Sequence, residues 1–151
     1  MKNPFRKSRS EQTVITPLVP PVVIVSGLPR SGTSMMMKML AAGGVAPLTD
    51  ELRAADGDNP QGYYEFERVK QLDKGDTAWL PMARGKAVKV ISYLLQYLPA
   101  GESYQVIFLR RNLDEILASQ RTMIVNRGED PDQMDDKQVA AMFTRHIELV
   151  E

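Results

Sequence analysis

The stretch VVIVSGLPRSGTS, residues 22–34, decides how the chain is read. Val22 to Ser26 is a short, β-branched run that suits a buried strand. The loop Gly27-Leu28-Pro29-Arg30-Ser31-Gly32-Thr33-Ser34 follows, and then a run of helix formers as far as Ala42. Strand, glycine-bracketed loop and helix in that order make a phosphate pocket. Glycine lets the backbone turn N–H groups inward, and the helix N-terminus adds partial positive charge. The glycines are spaced as in a Walker A loop, with Thr33 where that loop has its lysine. Arg30 is the cation inside the loop that replaces it.

Working outward, Pro17, Pro20 and Pro21 divide a tail over residues 1–20 from a single α/β domain over 21–151. The tail carries Lys2, Arg6, Lys7 and Arg9 with no apolar stretch of signal-peptide type behind them, and reads as solvated. Thr33 to Ala42 is apolar all round apart from Lys38, which predicts a helix buried against a sheet with Met35, Met36 and Met37 as core; Gly43-Gly44 ends it. Ala54 to Gly62, AADGDNPQG, is turn chemistry and predicts a surface loop leading into Tyr63-Tyr64-Glu65-Phe66-Glu67 and a helix toward Leu72. Further strands are expected at Ala87–Ile91 and Gln105–Leu109, and helices at 112–127 and 136–150. Asn112 is the N-cap of the first of these helices, with Glu115 placed for a capping box and Gly128 beyond its end.

Strands alternating with helices imply a parallel sheet covered on both faces, a three-layer α/β/α arrangement. Three strands are few for that class, so the chain is expected to be a fragment or an abbreviated version of a longer domain. Lys plus Arg and Asp plus Glu both number 19, so overall charge points to neither nucleic acid nor an anionic membrane as partner. Cysteine is absent, which excludes disulfides and thiolate metal sites and suits a reducing, cytoplasmic setting. No apolar run approaches membrane-spanning length.

Ligands of open parallel sheets bind outside the carboxyl ends of the strands, where the first loop lies. At the end of the third expected strand stand Arg110 and Arg111, with Ser119 eight residues after Arg111. Eight residues of helix rise about 12 Å and return within a quadrant of the same direction, so a long guanidinium could meet the Ser119 hydroxyl around one phosphate. The competing reading pairs these arginines with Asp114 or Glu115 on the helix surface. Two anion sites on one edge imply a ligand with two separated anionic groups.

Together these residues resemble the sulfotransferase family that uses 3'-phosphoadenosine-5'-phosphosulfate (PAPS), and bacterial members more than the steroid and phenol enzymes. That family's G-x-P-[KR]-S-G-T-[ST] loop is matched by Gly27, Pro29, Arg30, Ser31, Gly32, Thr33 and Ser34, and its arginine with a serine eight residues later by Arg111 and Ser119. The resemblance implies a P-loop NTPase-like sulfotransferase fold, incomplete in this chain. It implies PAPS as donor, the 5'-phosphosulfate on the Gly27–Ser34 loop, the 3'-phosphate on Arg111 and Ser119, and no metal. The segment Lys86 to Ser92 lacks the histidine base of the cytosolic branch. Glu65 is the first candidate base, beside Tyr63 and Tyr64, whose packing would raise its pKa; Asp58 is the second. Arg30 would stabilise charge on the bridging oxygen, and Lys89 would face the transferred group. His146, the one histidine, is expected on the surface. The acceptor, a small molecule or a carbohydrate, is open. The alternatives are a P-loop kinase-like nucleotide enzyme, disfavoured by Thr33, and a truncated nucleotide-binding relative without catalysis.

Overall fold

The computed structural model describes residues 19–50, 52–60, 62–133 and 135–150. The expected basic tail up to Leu18 lies outside the described residues. In chain order the elements are β1 (Val22–Gly27), α1 (Thr33–Ala42), a 3-10 helix (Glu67–Lys74), α2 (Leu80–Ala83) and β2 (Ala87–Lys89). A second 3-10 helix (Ser92–Tyr97), β3 (Tyr104–Leu109), α3 (Leu113–Asn126), a short 3-10 turn (Pro131–Gln133) and α4 (Asp136–Val150) complete them.

The sheet is parallel, in the order β2-β1-β3, and the chain is therefore α/β as expected. Val23, Ile24 and Val25 pair with Ala87, Val88 and Lys89 on one side; Val22 to Gly27 pair with Tyr104 to Leu109 on the other. Alternation along β1 divides the core. Val22 and Ile24 pack with Val88, Val90, Leu72, Trp79 and Leu80, while Val25 packs with Met37 and Ala87 under α1. Because all three strands run the same way, the loop after β1, Ile91 after β2 and Arg111 after β3 emerge at one edge.

The structure departs from the sequence reading in several places, each for a nonlocal reason. Residues 63–66 are not helical: the Glu65 carbonyl accepts from the Asp50 N–H at 3.3 Å and from Thr49 Oγ1 at 3.0 Å, which holds this irregular segment beside 49–50, with Tyr64 left-handed at φ 52°. Helical structure begins only at Glu67, whose N–H donates to Asp50 Oδ2 at 2.7 Å, and it is 3-10. Strand β2 stops at Lys89 because the chain turns into the second 3-10 helix.

Helix α1 has the expected bounds but only Met37 fully buried; Met35 is 63% and Met39 58% exposed, so its apolar surface is not all core. The Asn112 cap forms, accepting from the Asp114 N–H at 2.8 Å, whereas Glu115 turns to Arg111 and the capping box does not form. His146 is half-buried rather than exposed, its Nε2 lying 2.8 Å from the Ser92 hydroxyl. No helix among the described residues is long and apolar enough to cross a membrane.

Candidate functional site

The loop after β1 is held by its own backbone. The Ser31 N–H donates to the Leu28 carbonyl at 3.2 Å, closing a turn with Pro29 second and Arg30 third. Arg30 has φ 68°, the left-handed value a type II turn requires at that position, where glycine is usual. A non-glycine residue there costs on the order of 1 kcal/mol, so the loop carries strain to place a guanidinium. Gly27, at φ 151°, allows the loop to pack closely: a Cβ there would lie 2.5 Å from Ser31 Oγ and 2.7 Å from the Leu109 carbonyl oxygen. Ser31 is buried, and its Oγ has no hydrogen-bond partner among the described residues. Gly32, also left-handed, precedes α1, and no side chain caps that helix. The helical bonding starts with the Met36 N–H to the Gly32 carbonyl at 3.1 Å, which leaves the first-turn N–H groups for an anion.

A cavity of about 340 Å³ opens in front of this loop; Gly27, Pro29, Arg30, Gly32, Thr33 and Ser34 all line it. Its second wall is α3. Arg30 Nε donates to Ser119 Oγ at 2.8 Å, and Arg111 Nη1 donates to the Arg30 carbonyl at 3.1 Å. The loop and the Arg111/Ser119 pair thus meet across 81 and 89 residues of chain. Ser119 is engaged by Arg30 rather than by Arg111, and Arg111 Nε is also bound to Glu115 at 2.8 Å, so the surface pairing and the cleft position coexist. Arg110 instead lines a separate hollow beside β3 with Val106 and Phe108.

The third wall is made by Arg53, Asp58, Asn59, Tyr63 and Glu65, braced from behind by Asp56. Asp56 Oδ1 accepts from the N–H groups of Asp58 and Asn59, each at 3.0 Å, and from the Tyr63 hydroxyl at 2.6 Å. The Tyr63 bond is the main reason the Asp56 carboxyl is held below the usual carboxylate range, and burial pushes the Tyr63 phenol up. Asp58 latches the loop over the cleft: its carbonyl accepts from Arg30 Nη2 at 3.3 Å, and its Oδ1 from Asn126 Nδ2 of α3 at 2.7 Å. The expected surface loop is therefore also the roof of the site.

Glu65 and Lys89 close the inner end. The Lys89 side chain is 9% exposed; its ammonium donates to the Tyr63 carbonyl, lies 3.3 Å from Ser34 Oγ and 3.6 Å from Glu65 Oε1. Burial pushes its pKa down, against the opposing pull of Glu65. Aromatic packing was expected around Glu65. Cations surround it instead: Arg53 Nη1 at 3.0 Å, Lys70 Nζ at 3.5 Å and Lys89. Arg53 also stacks on the Tyr63 ring at 3.4 Å from its centroid.

Arg53 and Arg127 line the cavity and were not read from the sequence. Arg53 sits in an irregular segment without pattern. Arg127 had a signal, since Ser119, Met123 and Arg127 recur every fourth residue along α3. Five cations, Arg30, Arg53, Lys89, Arg111 and Arg127, line the cleft with two carboxylates, Asp58 and Glu65, a balance suited to anionic ligands. No known family model matches the chain, and no curated protein or solved structure matches it either.

Proposed function

We propose that the chain is a sulfotransferase with a P-loop-like sulfotransferase fold, taking a sulfuryl group from PAPS to an acceptor hydroxyl or amine. The observation that carries this reading is the meeting of Arg30 with Ser119 and Arg111, which joins two anion-binding elements in one cleft. The uncapped start of α1 and the strained Arg30 turn fit a 5'-phosphosulfate on Gly27–Ser34, with the 3'-phosphate on Arg111 and Ser119. When bound, the donor supplies a sulfuryl group on a good phosphate leaving group.

The roles of the residues follow from position. Backbone N–H groups from Gly32 to Ser34 hold the 5'-phosphate, the Ser31 N–H being spent on the turn, and Arg30 carries the charge that grows on the bridging oxygen. Lys89, beside Ser34, neutralises the sulfuryl oxygens. Glu65 takes the acceptor's proton as the acceptor–sulfur bond forms. The sulfur–oxygen bond to the 5'-phosphate breaks with its electron pair left on the phosphate. Arg53 and Lys70 orient the Glu65 carboxylate. Thr33 in place of a Walker lysine suits this donor better than a nucleoside triphosphate.

Calorimetry with 3'-phosphoadenosine 5'-phosphate tests the reading. The wild-type chain is expected to bind it with micromolar affinity, and Arg30→Ala and Arg111→Ala each to weaken it about tenfold or more. A folded sample with no detectable binding refutes the proposal. Magnesium-dependent ATP binding without preference for a 3'-phosphate replaces it with the kinase-like reading.

A further inference from the structure

Two features of the cleft are not used by the donor. The first is apolar. Met35 is 63% and Ile91 43% exposed, and both line the cavity together with Met123. Their positions are set by the chemistry beside them: Met35 follows Ser34 in the first turn of α1, and Ile91 follows Lys89 by two residues. An exposed methionine in a cleft offers a soft, adaptable surface to an apolar ligand.

The second is a cation. Arg30, Arg53, Lys89 and Arg111 are each engaged by a carboxylate, hydroxyl or carbonyl, whereas Arg127 makes no ion pair or side-chain hydrogen bond among the described residues. A helix C-terminus favours a cation on electrostatic grounds. That preference does not explain why this guanidinium lines the cleft, one turn beyond Met123. Ser119, which holds Arg30, lies eight residues earlier on α3, so Arg127 stands about 12 Å along the helix from the Arg30 contact. The two anionic ends of the donor are met by the loop and by Arg111. Arg127 is left for the other substrate.

We propose that the acceptor is amphipathic, with an apolar body resting on Met35, Ile91 and Met123 and an anionic group bound by Arg127. Its hydroxyl or amine points toward Lys89 and Glu65. This assignment rests on the donor reading above, and it makes Arg127 a specificity residue for the acceptor.

A matched pair of probes, ω-hydroxydecanoate and decanol, tests it by methyl NMR on protein labelled at methionine and saturated with 3'-phosphoadenosine 5'-phosphate. Met35→Leu and Met123→Leu assign the two signals. Both probes are expected to shift the Met35 and Met123 methyls, with the hydroxy acid binding about tenfold tighter. Arg127→Ala, a change at an exposed position, is expected to abolish that preference and leave the nucleotide affinity unchanged, and Arg127→Lys to restore part of it. The proposal is overturned if the methyls do not move or if the preference survives in Arg127→Ala. It is equally overturned if Arg127→Ala weakens the nucleotide as much as the acid, which would make Arg127 a donor residue. Failure of the wild-type chain to bind the nucleotide at all brings down the donor reading, and the acceptor assignment with it.

Discussion

Two walls of the cleft are built on opposite principles. The wall from Gly27 to Ser34 is backbone: a glycine packed against the Leu109 carbonyl, a turn closed by the Ser31 N–H and an uncapped helix start. The wall from Asp56 to Glu65 is side chain: a carboxylate gathering two N–H groups and a phenol, and a second carboxylate set among three cations. A backbone wall tolerates little substitution at its glycines and is insensitive to pH. A side-chain wall tolerates small additions and answers to protonation.

The largest effect is expected where the first wall is tightest. Gly27→Ala places a methyl 2.7 Å from a strand carbonyl at φ 151°. It should cost about 2–4 kcal/mol and lower the melting temperature by roughly 5–15 °C in a chain of this size. Gly57→Ala, in the second wall, meets nothing within 4 Å and should stay within about 0.5 kcal/mol of wild type. Equal losses in a calorimetric scan would erase the contrast between the walls.

Next in size is Glu65→Gln, which keeps the shape of the second wall and removes its charge. Lys89, 9% exposed, then loses its ion-pair partner and Arg53 loses its own, while Lys70 keeps Glu67 at 2.8 Å. A loss of about 1–3 kcal/mol in denaturant unfolding is expected, less than for a fully buried pair because Arg53 and Lys70 reach solvent. An unchanged midpoint would mean that the cations are held by the fold and not by Glu65.

The same contrast explains what was legible in the sequence. The first wall and its sheet were readable because their signals are local: β-branched residues in β1, glycines at fixed spacing, an asparagine cap on α3. The bounds of α1 agree with the reading at both ends. Of the second wall Glu65 and Asp58 were named from the sequence but their partners were not readable, because Arg53, Lys70 and Lys89 come to Glu65 from three separate segments and residues 49–50 set where helical structure starts. Met35 was misplaced for a different reason. Apolar periodicity marks a face that meets something, and it does not distinguish a core from the rim of a cleft.

A smaller effect separates the walls by acid. The Tyr63 bond holds the Asp56 carboxyl below its ordinary value of 3.8. A depressed carboxyl contributes stability above the unfolded value and loses it as pH falls through the folded one. The advantage of wild type over Tyr63→Phe should therefore be present at about pH 6 and vanish below 3.8 as Asp56 protonates. Urea unfolding at both pH values measures it. An advantage that persists in acid would assign the Tyr63 hydroxyl to some partner other than the carboxylate.

Lys89 provides the last and smallest test; its slope has the same sign but falls in the alkaline range, and its cause is burial of a cation rather than a bond to an anion. Burial lowers its pKa from 10.5, with Glu65 opposing, so over the interval between the two values the unfolded chain binds more protons than the folded one. Stability rises with pH wherever that holds. Lys89→Met keeps the apolar stem and removes the titrating group. The stability of wild type relative to this variant should therefore climb as pH approaches 10.5 and level off above it. Ser31→Ala in the first wall is the control: it removes a buried hydroxyl with no partner, so it should be neutral or slightly stabilising at every pH. A flat Lys89 difference would mean that Glu65 and the Tyr63 carbonyl offset burial in full, and the inner end of the cleft would then be as indifferent to pH as the loop that faces it.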